Sequence, residues 1–304
     1  MSLIASISGI RGTIGGPVGE GLTPIDIVRF TAAYAQQRKA KFPNKERLKV
    51  VVGRDARISG EMVARLVTST LMACGIDVVD AGLASTPTTE MAVIFEEADG
   101  GIILTASHNP KEWNALKLLD EKGEFLSDAD GREVVRLARE DSFNFAEVLA
   151  LGSLTPKDFT EAHVKAVLNY PLVDVQAIRK AGFKVVLDAI NSVGAIAMPA
   201  LFRALGVECI VINGEANGRF AHNPEPLPAN LTDLALKVVQ SGAQLGVSVD
   251  PDVDRLAFIC ENGAPFGEEY TLVAVSDYVL SHKQGDTVSN LSSSRALKDV
   301  TEAH

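Results

Sequence analysis

The chain has 304 residues, of which 46% are hydrophobic and 22% charged, and its net charge is −10, a composition typical of a globular protein of about two domains. The acidic excess argues against a nucleic-acid partner, which needs basic patches, and no run approaches ~18 apolar residues, so we expect no membrane span. The N-terminus has no basic start followed by an apolar run, so no signal peptide is predicted. The three scattered cysteines form neither a disulfide framework nor a metal-ligand spacing, so a reducing cytoplasm is expected.

Strand-like and helix-like segments alternate in the first half of the chain. The predicted strands are 48–53, 76–80 and 101–105, and the predicted helices are 59–74, 87–97 and 128–139. This rhythm indicates a parallel or mixed sheet with helices on its faces. Residues 139–160 lose the pattern and are polar, and we interpret them as a linker followed by the start of a helix.

The same rhythm restarts after the linker. Strands are predicted at 184–189, 207–213, 244–249 and 256–260, with helices at 192–205 and 231–241. A third unit begins with a helix at 268–281, a strand at 286–291 and a helix from 293. We therefore predict an α/β protein of consecutive similar units, 1–145, 155–257 and 258–304. A domain seldom ends within its own helix, so we expect the third unit to be truncated.

Three carboxylates, Asp250, Asp252 and Asp254, alternate with other residues directly after the predicted strand 244–249. Two carboxylates ~4 Å apart repel by about 4 kcal/mol at an effective dielectric of 20, so a cation is expected among them. Oxygen ligands suit Mg²⁺ or Ca²⁺. On a straight strand the outer two would lie ~13 Å apart, so the segment should curl.

Two other interpretations of the acidic triplet stay open. An EF-hand would place Asp at positions 1, 3 and 5 and Glu261 at position 12, but Arg255 occupies the position of the turn glycine. A solvated acidic turn without a ligand is the other. Arg255 could also hold a substrate phosphate.

A second loop, Thr-Ala-Ser-His-Asn-Pro at 105–110, follows the predicted strand 101–105 and exposes Ser107 at a strand end. No G-x-S-x-G pattern surrounds this serine, so a hydrolase triad is not indicated, whereas a simple Ser/Asn turn remains an alternative. A lone histidine such as His108 is more often a structural hydrogen-bonding residue than a base. Lys117, ten residues after Ser107, could transfer a proton if a metal lowered its pKa.

A glycine-rich stretch at 8–16 surrounds Arg11. Glycine lets backbone amides approach a phosphate, and arginine adds a forked cation. A flexible N-terminal turn would explain the glycines equally well.

Together, S-G-I-R-G, T-A-S-H-N-P, D-P-D-V-D-R and N-P-E-P-L at 223–227 resemble the α-D-phosphohexomutase superfamily over essentially the whole chain. The resemblance implies a four-domain enzyme whose fourth domain is absent here. It implies one Mg²⁺, phosphorylation of Ser107 and interconversion of hexose 1- and 6-phosphates through a bound 1,6-bisphosphate. Its implied metal ligands are Ser107, Asp250, Asp252 and Asp254, and its implied catalytic residues are Ser107, Lys117, His108, Arg11 and Arg255.

The chain departs from the family pattern at Ala115, where glycine is usual, and in lacking the sugar-binding loop and the C-terminal phosphate-binding domain. We therefore expect no mutase turnover from this fragment alone. The substrate stays open among glucosamine, glucose and mannose phosphates, and the sequence indicates no oligomeric state. A Mg²⁺-dependent phosphosugar phosphatase or phosphotransferase, and a non-catalytic phosphosugar-binding relative, are the alternatives.

Overall fold

The computed structural model describes residues 3–6, 9–291 and 293–304. Its strands are β1 (Ile4–Ser6), β2 (Gly9–Thr13), β3 (Lys49–Arg54), β4 (Asp77–Leu83), β5 (Gly101–Leu104), β6 (Trp113–Leu119), β7 (Leu154–Pro156), β8 (Lys184–Asp188), β9 (Glu208–Ile212), β10 (Leu245–Val249) and β11 (Leu256–Cys260). Its helices are α1 (Pro24–Lys41), α2 (Gly60–Ala73), α3 (Thr86–Phe95), α4 (Asp128–Arg139), α5 (Thr160–Leu168), α6 (Val175–Ala181), α7 (Gly194–Leu205), α8 (Thr232–Ser241), α9 (Glu268–His282) and α10 (Ala296–Ala303).

The first sheet has the order β1-β2-β6-β5-β3-β4-β7 and is mixed. Strands β3, β4, β5 and β7 pair in parallel, whereas β1, β2 and β6 join in antiparallel register. Helices α1, α2 and α4 cover one face through Ile27, Val67 and Val134. Helix α3 covers the other, where Val93 packs with Val51. Burial on both faces explains why β3 and β5 are continuous apolar runs.

Capping residues fix where the helices begin. The Thr23 hydroxyl accepts from the Asp26 amide at 3.4 Å and Asp26 accepts from the Thr23 amide at 3.3 Å, a capping box that opens α1. At α3, the Ser85 hydroxyl accepts from the Thr88 amide at 3.1 Å. The Ser85 cap sets the first turn of α3, and Thr86 in that turn reaches the acidic triplet.

The second sheet has the order β11-β10-β8-β9. Strands β8, β9 and β10 are parallel, and β10 and β11 form an antiparallel pair joined by the turn at 250–255. Helix α7 packs Phe202 on one face, and helix α8 packs Leu234 on the other. The predicted α/β units with helices on both sheet faces are confirmed. Among the described helices, none is long and apolar enough to cross a membrane.

The predicted start of a helix in the segment 139–160 is confirmed at Thr160, but interpreting the rest of the segment as a linker was wrong. Strand β7 within it pairs in parallel with β4, with Val79 opposite Thr155. The connection to α5 then spans residues 157–159 only, and Phe159, its last residue, is buried in the core beside α3. We therefore propose that the first unit extends to Pro156, and the other unit bounds stay a proposal.

The predicted strand at 286–291 is also wrong. The structure assigns no strand to these residues, and Val288 and Leu291 are almost fully exposed. Only Val288 and Leu291 of this segment are apolar, and none of the described strands lies beside it to pair with its backbone groups. Helices α9 and α10 pack on each other in this region. Helix α1 and strand β6 were not predicted.

Candidate functional site

Two loops from different sheets meet at one point. Ser107 follows β5 and Asp250 follows β10, and the Ser107 hydroxyl donates to Asp250 Oδ2 at 2.7 Å although 143 residues separate them. Both residues are buried, so the predicted exposure of Ser107 was wrong. Ser107 has a φ of +50°, and its amide donates to the Thr105 hydroxyl at 2.9 Å. The turn therefore directs the serine hydroxyl away from its own sheet and toward the acidic loop.

The acidic triplet curls as the sequence predicted. Asp250 Oδ1 accepts from the amides of Asp254 and Arg255, both at 3.2 Å, which folds the loop back over its first residue. Val253 takes a left-handed φ of +62° to complete the turn. One oxygen from each of the three carboxylates lies within 4.8 Å of the others. The flanking elements are strands β10 and β11, so the EF-hand interpretation was wrong.

Asp252 joins the two units at the floor of this pocket. Its Oδ2 accepts from the Thr86 hydroxyl at 2.6 Å and from Lys117 Nζ at 2.7 Å, and its backbone carbonyl accepts from the Thr86 amide at 2.8 Å. Lys117 Nζ also donates to Asp254 at 3.0 Å. Thr86 was not predicted, because a threonine in the first turn of a helix looks like an ordinary capping residue.

The three carboxylates of the triplet lie close to one another, and the Lys117 ammonium bonds two of them. Burial and the neighbouring Asp252 and Asp254 raise the pKa of Asp250 to about 8. Burial also opposes ionisation of Asp252, but the charge and hydrogen bond of Lys117 outweigh burial and lower its pKa. Burial would lower the pKa of Lys117, but the charges of Asp252 and Asp254 outweigh burial and raise it. Lys117 is therefore charged in this arrangement.

The remaining predicted residues, Arg11, His108 and Arg255, have less fixed contacts. Arg11 lies on β2 opposite Ala115 of β6, so its side chain shares a sheet face with Lys117, and its Nε is buried without a partner. His108 Nδ1 is likewise buried and unpaired, and burial together with the charge of Arg255 lowers the pKa of His108. Arg255 is half exposed, with its Nε 3.9 Å from Asp254.

A buried ion pair behind the serine loop was missed by the sequence analysis. Asp55 and Arg57 follow β3, and Arg57 Nε donates to Asp55 Oδ2 at 3.0 Å with both side chains fully buried. The signal that could have found them is an Asp-x-Arg pattern directly after an apolar strand, since strand carboxyl ends collect ligand-binding residues in open α/β sheets.

Comparison with known proteins shows which family the chain belongs to. The family model "Phosphoglucomutase/phosphomannomutase, alpha/beta/alpha domain I" matches residues 4–145, and the model for domain II matches residues 161–263. The chain belongs to the α-D-phosphohexomutase superfamily. Each matched range contains one of the two loops: the first contains Ser107 and the second contains Asp250.

Curated members of this superfamily resemble the chain over nearly its whole length. A phosphoglucomutase/phosphomannomutase of Thermococcus kodakarensis is 37% identical over 295 residues, which cover 96% of this chain and 64% of the relative. A phosphoglucosamine/phosphogalactosamine mutase of Sulfurisphaera tokodaii is 34% identical and covers 86% and 56%. The chain thus spans between about half and two thirds of the length of these relatives.

A solved structure of the superfamily shares the fold. A phosphoglucomutase/phosphomannomutase family protein of Burkholderia thailandensis has a TM-score of 0.78 and 25% identity, with 98% of this chain and 64% of that chain covered. The departure from the family pattern at Ala115 is accommodated in β6. The methyl group of Ala115 is buried, and Lys117, two residues later, still reaches the carboxylates of Asp252 and Asp254.

Proposed function

We propose that this chain supplies the phosphoserine and the metal loop of a magnesium-dependent phosphohexose mutase. The observation that carries the proposal is the 2.7 Å hydrogen bond from the Ser107 hydroxyl to Asp250 across two units. A nucleophilic oxygen and a carboxylate cluster are thereby held at the same point. The names of the relatives, which act on glucose, mannose, glucosamine or galactosamine phosphates, support the reaction class without selecting the sugar.

The carboxylate cluster fits Mg²⁺ by its chemistry. Its donors are all oxygens, which hard divalent cations prefer, and Asp252 Oδ1 is buried with no hydrogen-bond partner. A buried carboxylate oxygen without a partner is costly unless a cation compensates it. We assign the ion to Asp250, Asp252 and Asp254, with an oxygen of phosphorylated Ser107 as a further ligand. When bound, Mg²⁺ supplies positive charge to the phosphoryl oxygens.

The protein's own part in the reaction is to hold Ser107 and to receive its phosphoryl group back. In the first half-reaction, a hydroxyl oxygen of a hexose monophosphate forms a bond to phosphorus while the bond from phosphorus to Ser107 Oγ breaks. The product is a hexose 1,6-bisphosphate. After the sugar reverses its orientation, Ser107 Oγ takes the other phosphoryl group. Such transfer depends on in-line positioning and on charge neutralisation more than on covalent chemistry by the protein.

Four basic residues around the pocket have proposed roles in this cycle. The attacking hydroxyl loses a proton and the departing Ser107 Oγ gains one, and we assign this exchange to Lys117, which is charged beside Asp252 and Asp254. Arg11 and Arg255 would neutralise phosphate oxygens. His108 supports the serine loop, and its lowered pKa keeps it neutral near pH 7.

The proposal is tested by mass spectrometry of the chain after incubation with hexose 1,6-bisphosphate and Mg²⁺. We expect one phosphate on the peptide that contains Ser107. Ser107→Ala should gain none, and Ser142→Ala, which changes an exposed serine elsewhere, should gain as much as the wild type. Phosphate on another residue in the Ser107→Ala variant would contradict the assignment.

The phosphatase alternative separates from the mutase in the same reaction. A mutase loop keeps its phosphate or returns it to a sugar, so inorganic phosphate should accumulate no faster than in the Ser107→Ala control. Steady release of inorganic phosphate from hexose monophosphates would support a phosphatase instead. Chelation of Mg²⁺, or Asp252→Asn, should abolish phosphate uptake at Ser107 without unfolding the protein.

A further inference from the structure

The guanidinium of Arg57 lies entirely beneath the serine loop. Its side chain is fully buried, and apart from its bond to Asp55 every described hydrogen bond goes to a backbone carbonyl of that loop. Nη1 donates at 2.7 Å and 3.0 Å, and Nη2 donates at 2.7 Å to one carbonyl and also to that of the nucleophile. The four acceptors are the carbonyls of Pro110, Trp113, Asn109 and Ser107.

This arrangement compensates a loop whose carbonyls point inward. Buried carbonyl groups without partners are destabilising, and a planar fork of five donors is the side chain best able to satisfy several of them at once. Ser107 also holds a left-handed φ of +50°, which a non-glycine residue keeps only where its surroundings fix it. The Arg57 fork supplies that constraint at the carbonyl of the same residue.

Asp55 secures the other end of the loop. Its Oδ1 accepts from the Arg57 amide at 2.9 Å, and its Oδ2 accepts from the Thr105 hydroxyl at 2.7 Å. Thr105 in turn accepts from the Ser107 amide at 2.9 Å. Ser107 is thus held through both its amide and its carbonyl by one buried ion pair.

The same segment also contacts the second unit. The guanidinium carbon of Arg57 lies 5.1 Å from the ring centre of Phe220, a cation–π contact. The Ala56 amide donates to the Ser192 hydroxyl at 3.3 Å, and that hydroxyl donates to the carbonyl of Pro251 in the acidic loop at 2.6 Å. The segment 55–57 therefore contacts the serine loop directly, through the ion pair, and the acidic loop indirectly, through Ser192.

We propose that Arg57, held by Asp55, is a positioning residue that fixes the Ser107 hydroxyl relative to the acidic loop. It touches neither the serine hydroxyl nor the carboxylates of the triplet in the described structure, so its effect on phosphoryl transfer is indirect. The inference rests on the proposed phosphoserine function, but the position of the loop can be measured without any activity.

The first test is amide hydrogen exchange in Arg57→Met and Arg57→Lys. We expect Arg57→Met to lose protection in residues 105–114 while the strands of both sheets keep theirs. Arg57→Lys should lose part of it, because an ammonium cannot serve four carbonyls in one plane. The matched control is Arg65→Lys, an exposed arginine paired with Glu61 on α2. Unchanged protection of the loop in Arg57→Lys and Arg57→Met would overturn the proposal.

The second test is the rate of phosphate uptake at Ser107 from hexose 1,6-bisphosphate. A misplacement of about 1 Å can cost about 100-fold in rate, so we expect a fall of that order in Arg57→Met with the half-saturating bisphosphate concentration unchanged. Added methylguanidinium should restore part of the rate. A raised half-saturating concentration with an unchanged maximal rate would overturn the positioning role.

The two tests fail separately. If the wild type takes up no phosphate, the proposed function fails, and hydrogen exchange still decides whether Arg57 holds the loop. If Arg57→Met does not fold, Arg57→Lys replaces it in both measurements, because it keeps the charge that Asp55 requires. Loss of protection throughout both sheets in Arg57→Lys would show a general structural role and overturn the proposal.

Discussion

Lys117→Met removes the one side-chain cation that contacts two carboxylates of the acidic triplet in the described structure. Lys117 Nζ lies 2.7 Å from Asp252 and 3.0 Å from Asp254, and the Asp252 side chain is fully buried. Removing one partner of a buried ion pair costs about 3–5 kcal/mol because the other charge stays buried. Asp254 is partly exposed, so we expect a loss of about 3 kcal/mol without Mg²⁺, which lowers Tm by roughly 6–12 °C.

The same substitution should strengthen Mg²⁺ binding, because the ion no longer competes with an ammonium for the same oxygens. Unit charges ~4 Å apart interact by about 4 kcal/mol at an effective dielectric of 20. If relief of about one third of this repulsion appears in binding, the affinity for Mg²⁺ rises about tenfold. Calorimetric titration and thermal unfolding with and without Mg²⁺ measure both effects, with the exposed Lys122→Met as control. Weaker Mg²⁺ binding, or an unchanged Tm without Mg²⁺, would refute the reasoning.

Two further predictions concern stability. His222 Nε2 lies 3.0 Å from an oxygen of buried Asp188, and this hydrogen bond raises the pKa of His222 above its value in the unfolded chain. The pair therefore stabilises the fold below about pH 6.5, and this stabilisation is lost as pH rises through the pKa of folded His222. His222→Gln should therefore cost about 1 kcal/mol more in urea unfolding at about pH 5.5 than at about pH 9, and equal costs would contradict this assignment. Gly218→Ala would place a methyl group 2.1 Å from the Ala56 carbonyl, whereas Gly242→Ala meets open space at a similar φ, so the first should lower stability by about 1–3 kcal/mol more in calorimetry. Equal losses of stability in the two variants would contradict the prediction, because they would show that the two units move apart to accommodate the methyl group at residue 218.

The positions of Ser107 and Asp250 at strand ends followed from general rules, whereas their meeting was implied by the family resemblance. Apolar runs predicted the strands, and the carboxyl ends of parallel strands are where open α/β sheets collect functional loops. The curl of the triplet followed from distance alone, because a straight strand cannot bring Asp250 and Asp254 to one ion. The strand ends and the curl were predictable because each depends on residues close together in the sequence.

What the sequence could not predict depends on contacts between distant backbone groups. Arg57 acts on carbonyl oxygens of residues 107–113, and carbonyls are the same in every residue, so no side-chain pattern records them. Strand β7 has three residues, all exposed, which is too short for periodicity to appear. The strand predicted at 286–291 was wrong because the segment has only two apolar residues, Val288 and Leu291, which are three positions apart and do not alternate as on one face of a strand.

The short passage from β7 to α5 limits how the two loops can part. Three residues, 157–159, connect the sheet of the first unit to the first helix of the second, and they span at most ~11 Å when fully extended. Phe159 at the end of this passage is buried in the first unit, which shortens the free length further. The two units can therefore separate at this connection only by turning about residues 157–159, and lengthening or stiffening these residues should change how fast the serine loop and the acidic loop separate.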